Sequence, residues 1–123
     1  MKGWVVSGKG EGRFYLSKKK YAEQFSENLG FLPYPGTLDV KLDGTQIRKE
    51  PDILIKGFRE NGEIRGDVLC FKSKLIYRGK ETPCYTIIPI LTSHKNVIEV
   101  IHKENLREKL RIEDGDEVEI EIN

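Results

Sequence analysis

The decisive stretch for the fold is Asp67-Val68-Leu69-Cys70-Phe71-Lys72-Ser73-Lys74-Leu75-Ile76, a β-rich run in the middle of the chain. The turn residues Arg78-Gly79-Lys80 follow it, and residues 84–89 form a second β-rich run. Upstream, Asn61-Gly62 is a strong signal for a two-residue hairpin turn. We therefore predict that residues 53–89 fold as successive β-hairpins.

Further strands are predicted on both sides of these hairpins. Residues 38–42 alternate between apolar and polar side chains, which gives a strand one apolar and one polar face. Residues 4–6, 97–101 and 118–122 also have strand character, and residues 14–16 are predicted to continue the first of these strands beyond a glycine-rich loop. Short strands with frequent turns indicate a mostly β fold, a small β-barrel with two short helices.

The longer helix is predicted over residues 18–29. Ser17 is placed to cap its N-terminus, and Gly30 is placed to end it in the left-handed conformation. Leu106 and Leu110, four residues apart, predict the second, short and charged helix. Four residues of the longer helix share one face at helical spacing: Tyr21, Ala22, Phe25 and Leu29.

Composition limits the class of protein. The 123 residues allow one domain with a sizeable core, and the formal net charge of +1 argues against a protein whose main task is to coat nucleic acid. Residues 1–30 carry six Lys and Arg against three Glu, whereas residues 104–123 carry three against eight Asp and Glu. The basic end is also the glycine-rich end, where an anion would bind.

The cysteines and the hydropathy pattern bear on location. Cys70 and Cys84 accompany no CxxC motif or Cys/His cluster, so we expect two buried free thiols rather than a zinc site. The sequence shows no leader peptide and no apolar segment long enough for a membrane span. We expect a cytoplasmic protein that contacts no membrane.

Three glycines occupy alternate positions near the start of the chain: Gly8, Gly10 and Gly12. The backbone N–H groups of such a segment can form a concave nest for an anion, and Lys9 and Arg13 would add charge-assisted hydrogen bonds. The spacing matches neither the dinucleotide fingerprint nor the P-loop. Taken alone, the segment is equally consistent with a hairpin loop that binds nothing.

Thr37 and Asp39 indicate a cation site. Two residues apart on a strand, their side chains project from the same face, so a hydroxyl and a carboxylate can reach one hard cation. Magnesium takes few protein oxygens and completes its shell with water and phosphates, which matches so sparse a site. The alternative is that both residues belong to the solvated face of an amphipathic strand.

Three ordered motifs carry a resemblance that covers nearly the whole chain. They are Ser7-Gly8-Lys9-Gly10-Glu11-Gly12-Arg13, then Leu29-Gly30-Phe31-Leu32-Pro33-Tyr34-Pro35-Gly36-Thr37-Leu38, and finally Leu106-Arg107-Glu108 with Asp114-Gly115-Asp116-Glu117-Val118. Together they resemble the archaeal CTP-dependent riboflavin kinase family. The resemblance implies a cradle-loop β-barrel that transfers the γ-phosphate of CTP to the 5′-hydroxyl of riboflavin, giving FMN and CDP. It also implies a single catalytic domain over residues 1–123, with no N-terminal DNA-binding domain.

The resemblance also assigns ligand contacts residue by residue. The riboflavin contacts would be Thr92 and Glu99. His94, close to them, is expected to be an exposed loop imidazole. By residue type alone, Glu99 and Asp39 are the candidates for a general base, and a metal-bound carboxylate is a poor base. The contacts with the cytosine end of the nucleotide would be Asn105, Leu106, Arg107 and Glu108. The nucleotide and its phosphates would be held by Gly8, Lys9, Gly10, Glu11, Gly12, Arg13 and Phe14.

Thr37 and Asp39 match the magnesium ligands that the resemblance implies. The family usually has Asn at the second position, so Asp39 keeps an oxygen ligand but adds a negative charge close to the triphosphate. That charge would tighten metal binding and slightly repel a metal-free nucleotide. One Mg²⁺ ion is the implied cofactor, and riboflavin and CTP are the implied partners of a monomer.

Two alternatives stay open. Residues 106–120 also resemble the swapped-hairpin DNA-binding proteins, whose barrels are related, although those proteins have basic surfaces and this segment is acidic. A protein that binds flavin or nucleotide without catalysis could use the same barrel. We expect no nucleic-acid partner, because the glycine segment would then have no role.

Overall fold

A computed structural model describes residues 1–7, 11–44, 47, 49–91 and 96–123, and of residues 11 and 12 the backbone alone. In these ranges the strands and helices are, in chain order, β1 Lys2–Val6, α1 Glu11–Ser17, α2 Lys19–Leu29, β2 Leu38–Leu42, β3 Ile53–Ile55, β4 Phe58–Glu60, β5 Glu63–Arg65, β6 Val68–Tyr77, β7 Lys80–Pro89, β8 Val97–Ile101, α3 Leu106–Leu110 and β9 Glu117–Ile122.

The strands close into a barrel around the central hairpin. β6 pairs along its whole length with β7, and its second half pairs on the other edge with β9. From β7 the sheet continues through β8, β2 and β1 back to β9, and every pairing is antiparallel. The predicted small, mostly β barrel is confirmed, as a closed six-stranded antiparallel barrel with three short helices.

Both predicted hairpin turns are confirmed. Asn61 and Gly62 join β4 to β5 with φ values of 49° and 79°, and Arg78 and Gly79 join β6 to β7 with φ values of 50° and 77°. Two successive residues with positive φ match the right-handed twist of antiparallel strands. The turn chemistry therefore sets the register of the two hairpins.

Helix α2 confirms the prediction for residues 18–29, and Gly30 ends it with φ 79° while its N–H donates to the carbonyl of Ser26. The predicted N-cap is wrong. Ser17 is the last residue of α1, and its hydroxyl donates to the carbonyl of Phe14 at 2.8 Å. Lys18 occupies the N-cap position of α2 without a side-chain capping bond.

The strand predicted over residues 14–16 is also wrong, because these residues belong to α1. β1 is paired with β2 on one edge and with β9 on the other, so the barrel offers no free edge beside it. The aromatic side chains instead pack edge to face, Phe14 on Tyr15 at 5.5 Å and Tyr15 on Tyr21 at 5.2 Å between ring centroids. The described chain therefore has a third helix, which brings Arg13 to the side of the barrel.

Two apolar cores stabilise this arrangement. The first fills the barrel and includes Val40, Leu75 and Ile120. The second lies between the barrel's outer face and the helices α1 and α2, because neighbouring strand residues point to opposite faces. Its buried members are Leu16, Tyr21, Phe25, Ile55, Val68, Cys70, Ile87 and Ile101.

Both cysteines are buried free thiols, as predicted. Burial raises the pKa of Cys70 and of Cys84 to about 12, so both stay protonated at neutral pH.

Within the described ranges, no helix combines the length and the apolar character that crossing a membrane requires.

Candidate functional site

Two buried carboxylates lie side by side on the outer face of the barrel. Asp39 on β2 and Glu99 on β8 are direct partners in the antiparallel register, and they are only 7% and 5% exposed. The hydroxyl oxygen of Thr37 lies 2.9 Å from Oδ1 of Asp39 and 3.3 Å from Oε1 of Glu99. We call these three residues the oxygen cluster.

The oxygen cluster has the chemistry of a site for a hard cation. The Thr37 hydroxyl has one proton, so it donates to one carboxylate at a time while both converge on its oxygen. Mg²⁺ takes one or two protein oxygens and completes its shell with water and phosphates, and hydroxyl and carboxylate oxygens are the ligands that it prefers. The residues present therefore fit Mg²⁺, although the described ranges contain no group of three His, Cys, Asp or Glu side chains that could hold a metal.

Two arginines lie next to the oxygen cluster. Arg13 of α1 and Arg107 of α3 line two adjoining cavities of about 490 and 210 Å³, together with Gly36 and Thr37. The larger cavity includes Asp39, and the smaller one extends towards α3. We call the two cavities together the groove. It combines cationic and oxygen-ligand groups within one concave surface, which suits a phosphate ester with a bound cation.

The smaller cavity is shaped by the turn before β2. The backbone N–H of Tyr34 donates to the carbonyl of His102 at 2.8 Å, which fixes this turn against the end of β8. A Cβ added at Gly36 would lie 2.9 Å from Cε1 of Tyr34, so only glycine leaves room for the ring. The Pro-Tyr-Pro-Gly segment thus places an aromatic ring at the groove.

Asn105 holds helix α3 in place. Its side-chain oxygen accepts hydrogen bonds from the backbone N–H groups of Arg107 and Glu108, and its amide nitrogen donates to the Tyr34 hydroxyl at 3.2 Å. This capping arrangement satisfies N–H groups at the start of the helix. Leu106 is buried in the barrel core and also lines the smaller cavity, so the polar groups that the predicted 105–108 segment offers to the groove come from Asn105 and Arg107.

The remaining predicted contacts lie elsewhere. Gly8, Lys9, Gly10, Thr92 and His94 fall outside the described residues, whereas Glu11 and Gly12 begin α1. The ring of Phe14 lies beneath Lys18 Nζ at 5.2 Å and Arg65 Cζ at 5.1 Å, and it lines neither cavity of the groove. Glu108 is exposed on α3 and also lines neither cavity.

The residues that line the groove include these four polar ones, which the sequence analysis did not assign to the site: Ser7, Tyr34, His102 and Asp114. Three of them lie inside or beside the quoted motifs, which was the available signal. His102 had no such signal, because only the pairing of β8 with β2 brings it to the smaller cavity.

His102 makes the stability of the fold depend on pH. Burial lowers the pKa of its imidazole below the ordinary 6.5, so the unfolded chain takes up a proton at a higher pH than the folded one. We expect the free energy of unfolding to decrease as the pH falls from roughly 7 to 5.5. Urea denaturation across this range should show a smaller decrease for His102→Gln. If the free energy of unfolding depends equally on pH in both proteins, His102 is not the cause of that dependence.

Comparison with known proteins identifies the family. Residues 5–122 match a family model named CTP-dependent riboflavin kinase and described as a domain of unknown function, DUF120. The chain belongs to this family. The resemblance inferred from the three sequence motifs is thereby confirmed.

Curated members of the family from several archaea are similar to this chain. It is 46% identical over 127 residues to a protein named riboflavin kinase from Ignicoccus hospitalis, a match covering 98% of this chain and 69% of that protein. For the riboflavin kinase of Thermoplasma acidophilum the identity is 40%, and the match covers 98% of this chain and 56% of that protein. For the riboflavin kinase of Saccharolobus solfataricus the identity is 35%, and the match covers 99% of this chain and 73% of that protein. This chain therefore spans little more than half of the Thermoplasma relative.

Proposed function

We propose that this chain phosphorylates riboflavin to FMN, with CTP as the phosphate donor and Mg²⁺ as the cofactor. Family membership supports a riboflavin kinase, and the family's name supports CTP as the donor. The observation that carries the proposal is the convergence of Thr37, Asp39 and Glu99 beside Arg13 and Arg107.

The groove supplies what phosphoryl transfer requires. Such reactions depend on positioning and on neutralising the charge of the transferred phosphoryl group rather than on covalent chemistry. Arg13 and Arg107 bind the phosphates of the donor. Thr37 and Asp39 would hold the magnesium ion, which supplies positive charge next to those phosphates when it is bound.

Glu99 has a second role in this proposal. Its carboxylate is the member of the oxygen cluster that β8 contributes, opposite Asp39 on β2, and its Oε1 lies 3.3 Å from the Thr37 hydroxyl oxygen. We propose that Glu99 orients the 5′-hydroxyl of riboflavin and accepts its proton as the bond from that oxygen to the γ-phosphorus of CTP forms and the bond from this phosphorus to the leaving CDP breaks.

The base of the nucleotide would bind in the smaller cavity. The side-chain oxygen of Asn105 is engaged by the N-terminus of α3, so this residue positions the helix rather than reading the cytosine edge through that atom. Tyr34 and His102 provide a ring and an imidazole in the same cavity. The His102 Nδ1 accepts from the Glu104 N–H, so the neutral imidazole has its proton on Nε2 and offers a donor to the base.

An assay with purified protein tests the proposal. Riboflavin and Mg²⁺ are incubated with CTP, ATP, GTP or UTP in turn, and FMN is separated from riboflavin and quantified. We expect FMN with CTP, much less with the purine nucleotides, and none when EDTA removes the metal. Glu81→Gln on the distant β6–β7 hairpin serves as a control and should match the unmodified protein.

Two outcomes would contradict the proposal. Absence of FMN with all four nucleotides would exclude the kinase activity and leave a binding protein. Equal rates with all four would leave a kinase but exclude the assignment of CTP as its donor. Retention of DNA at moderate salt would instead favour the barrel as a DNA-binding module.

A further inference from the structure

One carboxylate, that of Asp114, joins two other side chains that line the larger cavity of the groove. Oδ1 of Asp114 accepts a hydrogen bond from Nη2 of Arg107 at 2.8 Å, and Oδ2 accepts one from the Ser7 hydroxyl. The same Nη2 also donates to the carbonyl of Val6 at 3.1 Å. Asp114 therefore connects α3 to the end of β1, directly before the glycine segment.

The backbone holds Asp114 firmly. The N–H of Gly115 donates to the carbonyl of Val5 at 2.7 Å, and the N–H of Val5 donates to the carbonyl of Asp116 at 2.9 Å. The carboxylate of Asp116 accepts from the Tyr77 hydroxyl at 2.8 Å. The Asp-Gly-Asp turn is thus anchored to two strands of the barrel, which positions the half-exposed Asp114 beside Ser7 and Arg107.

The charge of Asp114 is unexpected at this place. It lines the larger cavity with Arg13 and Arg107, where the proposed function puts a triphosphate. The hydrogen bond from Ser7 and the neighbouring Arg107 lower the pKa of Asp114, so the carboxylate is ionised at neutral pH. By charge alone, its removal would strengthen the binding of phosphates.

We propose that Asp114 is a positioning residue for the phosphate donor, a role that rests on the proposed function. It occupies Nη2 of Arg107 together with the Val6 carbonyl and so sets the orientation of the guanidinium. Within the described part of the chain, Nη1 and Nε of Arg107 have no hydrogen-bond partner, and they remain available for phosphate oxygens. Through Ser7, Asp114 also fixes the start of the glycine segment.

Asp114→Asn distinguishes the positioning of Arg107 from the repulsion of phosphates. Loss of positioning would weaken phosphate binding, whereas loss of the negative charge alone would strengthen it. If Asp114 positions Arg107, we expect the Kd for CTP and for inorganic tripolyphosphate to rise about 10-fold, as a weakened charge-assisted hydrogen bond predicts. The KM for CTP should rise equally, while the KM for riboflavin stays within about 2-fold, since the proposed function places Arg107 against the phosphates of CTP and not against the flavin. Calorimetry gives the two Kd values without requiring turnover.

Ser7→Ala and Arg107→Lys complete the test. Ser7→Ala should weaken tripolyphosphate binding less than Asp114→Asn does, and the double variant should bind no worse than Asp114→Asn alone, because Ser7 acts through Asp114. Arg107→Lys keeps the positive charge but loses the planar guanidinium that Asp114 orients. Adding Asp114→Asn to Arg107→Lys should therefore change the Kd for tripolyphosphate little. Glu81→Gln removes a similar ion pair with Lys74, 3.3 Å apart on the far hairpin, and should leave both Kd values unchanged.

Unchanged or tighter binding of tripolyphosphate to Asp114→Asn would overturn the inference, and so would additive effects of Ser7→Ala and Asp114→Asn. If Asp114→Asn fails to fold, unchanged binding by both Ser7→Ala and Arg107→Lys overturns it as well. A protein that binds tripolyphosphate with the expected pattern but makes no FMN would disprove the proposed kinase and leave the role of Asp114 intact.

Discussion

Replacing Asp39 by alanine is expected to lower the kcat/KM for FMN formation by about 10²–10³-fold, the loss typical of removing one group that stabilises charge in a transition state. Asp39 is buried and meets the Thr37 hydroxyl at 2.9 Å, so its removal takes away the charged ligand of the proposed Mg²⁺ site. Riboflavin binding, followed by quenching of flavin fluorescence, should persist. The loss would then lie in the chemical step and in metal binding.

Asp39→Asn is the matched control for this prediction. It preserves the shape and one oxygen ligand, and it introduces the residue that the family resemblance leads us to expect at this position. We expect turnover within about 10-fold of the original protein at saturating Mg²⁺, with a higher Mg²⁺ concentration needed for half-maximal rate, because one ligand charge is lost. Full turnover by Asp39→Ala would remove Asp39 from the site. Equal losses in both variants would show that charge, not ligation, matters.

Replacing Phe25 by alanine is expected to lower the free energy of unfolding by about 3–5 kcal/mol. The side chain is 0% exposed in the second core, where α2 packs on the outer face of the barrel. Its removal leaves a cavity that the surrounding strands cannot close, because β6, β7 and β8 are held in register by the barrel. Urea denaturation followed by tyrosine fluorescence or circular dichroism measures the change.

Leu32→Ala controls for the loss of apolar surface close to the same helix. Leu32 is 65% exposed, so its truncation should change the free energy of unfolding by no more than about 0.5 kcal/mol. A cost below about 1 kcal/mol for Phe25→Ala would mean that α2 contributes little to the stability of the barrel, contrary to the packing of the second core.

Local chemistry predicted much of this fold. The Asn61-Gly62 and Arg78-Gly79 turns have positive φ at both positions, which both glycines and Asn61 adopt readily and which Arg78 adopts at a steric cost. Helix α2 is likewise encoded by its own apolar face and by Gly30. Thr37 and Asp39 could be placed on one face because strand residues two apart always share one.

Other features depended on contacts between distant parts of the chain. Residues 14–16 have strand character, yet both edges of β1 are occupied, so they form a helix instead. That outcome requires knowledge of the closed barrel, which no local pattern contains.

The candidate site likewise combines features that local sequence encodes with features that depend on distant parts of the chain. By itself the sequence determined the hairpins, the main helix, the Thr37 and Asp39 pair and the motifs that indicate the family, because each depends on neighbouring residues or on similarity along the chain. Only the tertiary structure decided that Glu99 faces Asp39 and that Asp114 joins Arg107 to Ser7. Ser7 and Asp114 are 107 positions apart, and closure of the barrel through β1 and β9 brings them within hydrogen-bond distance.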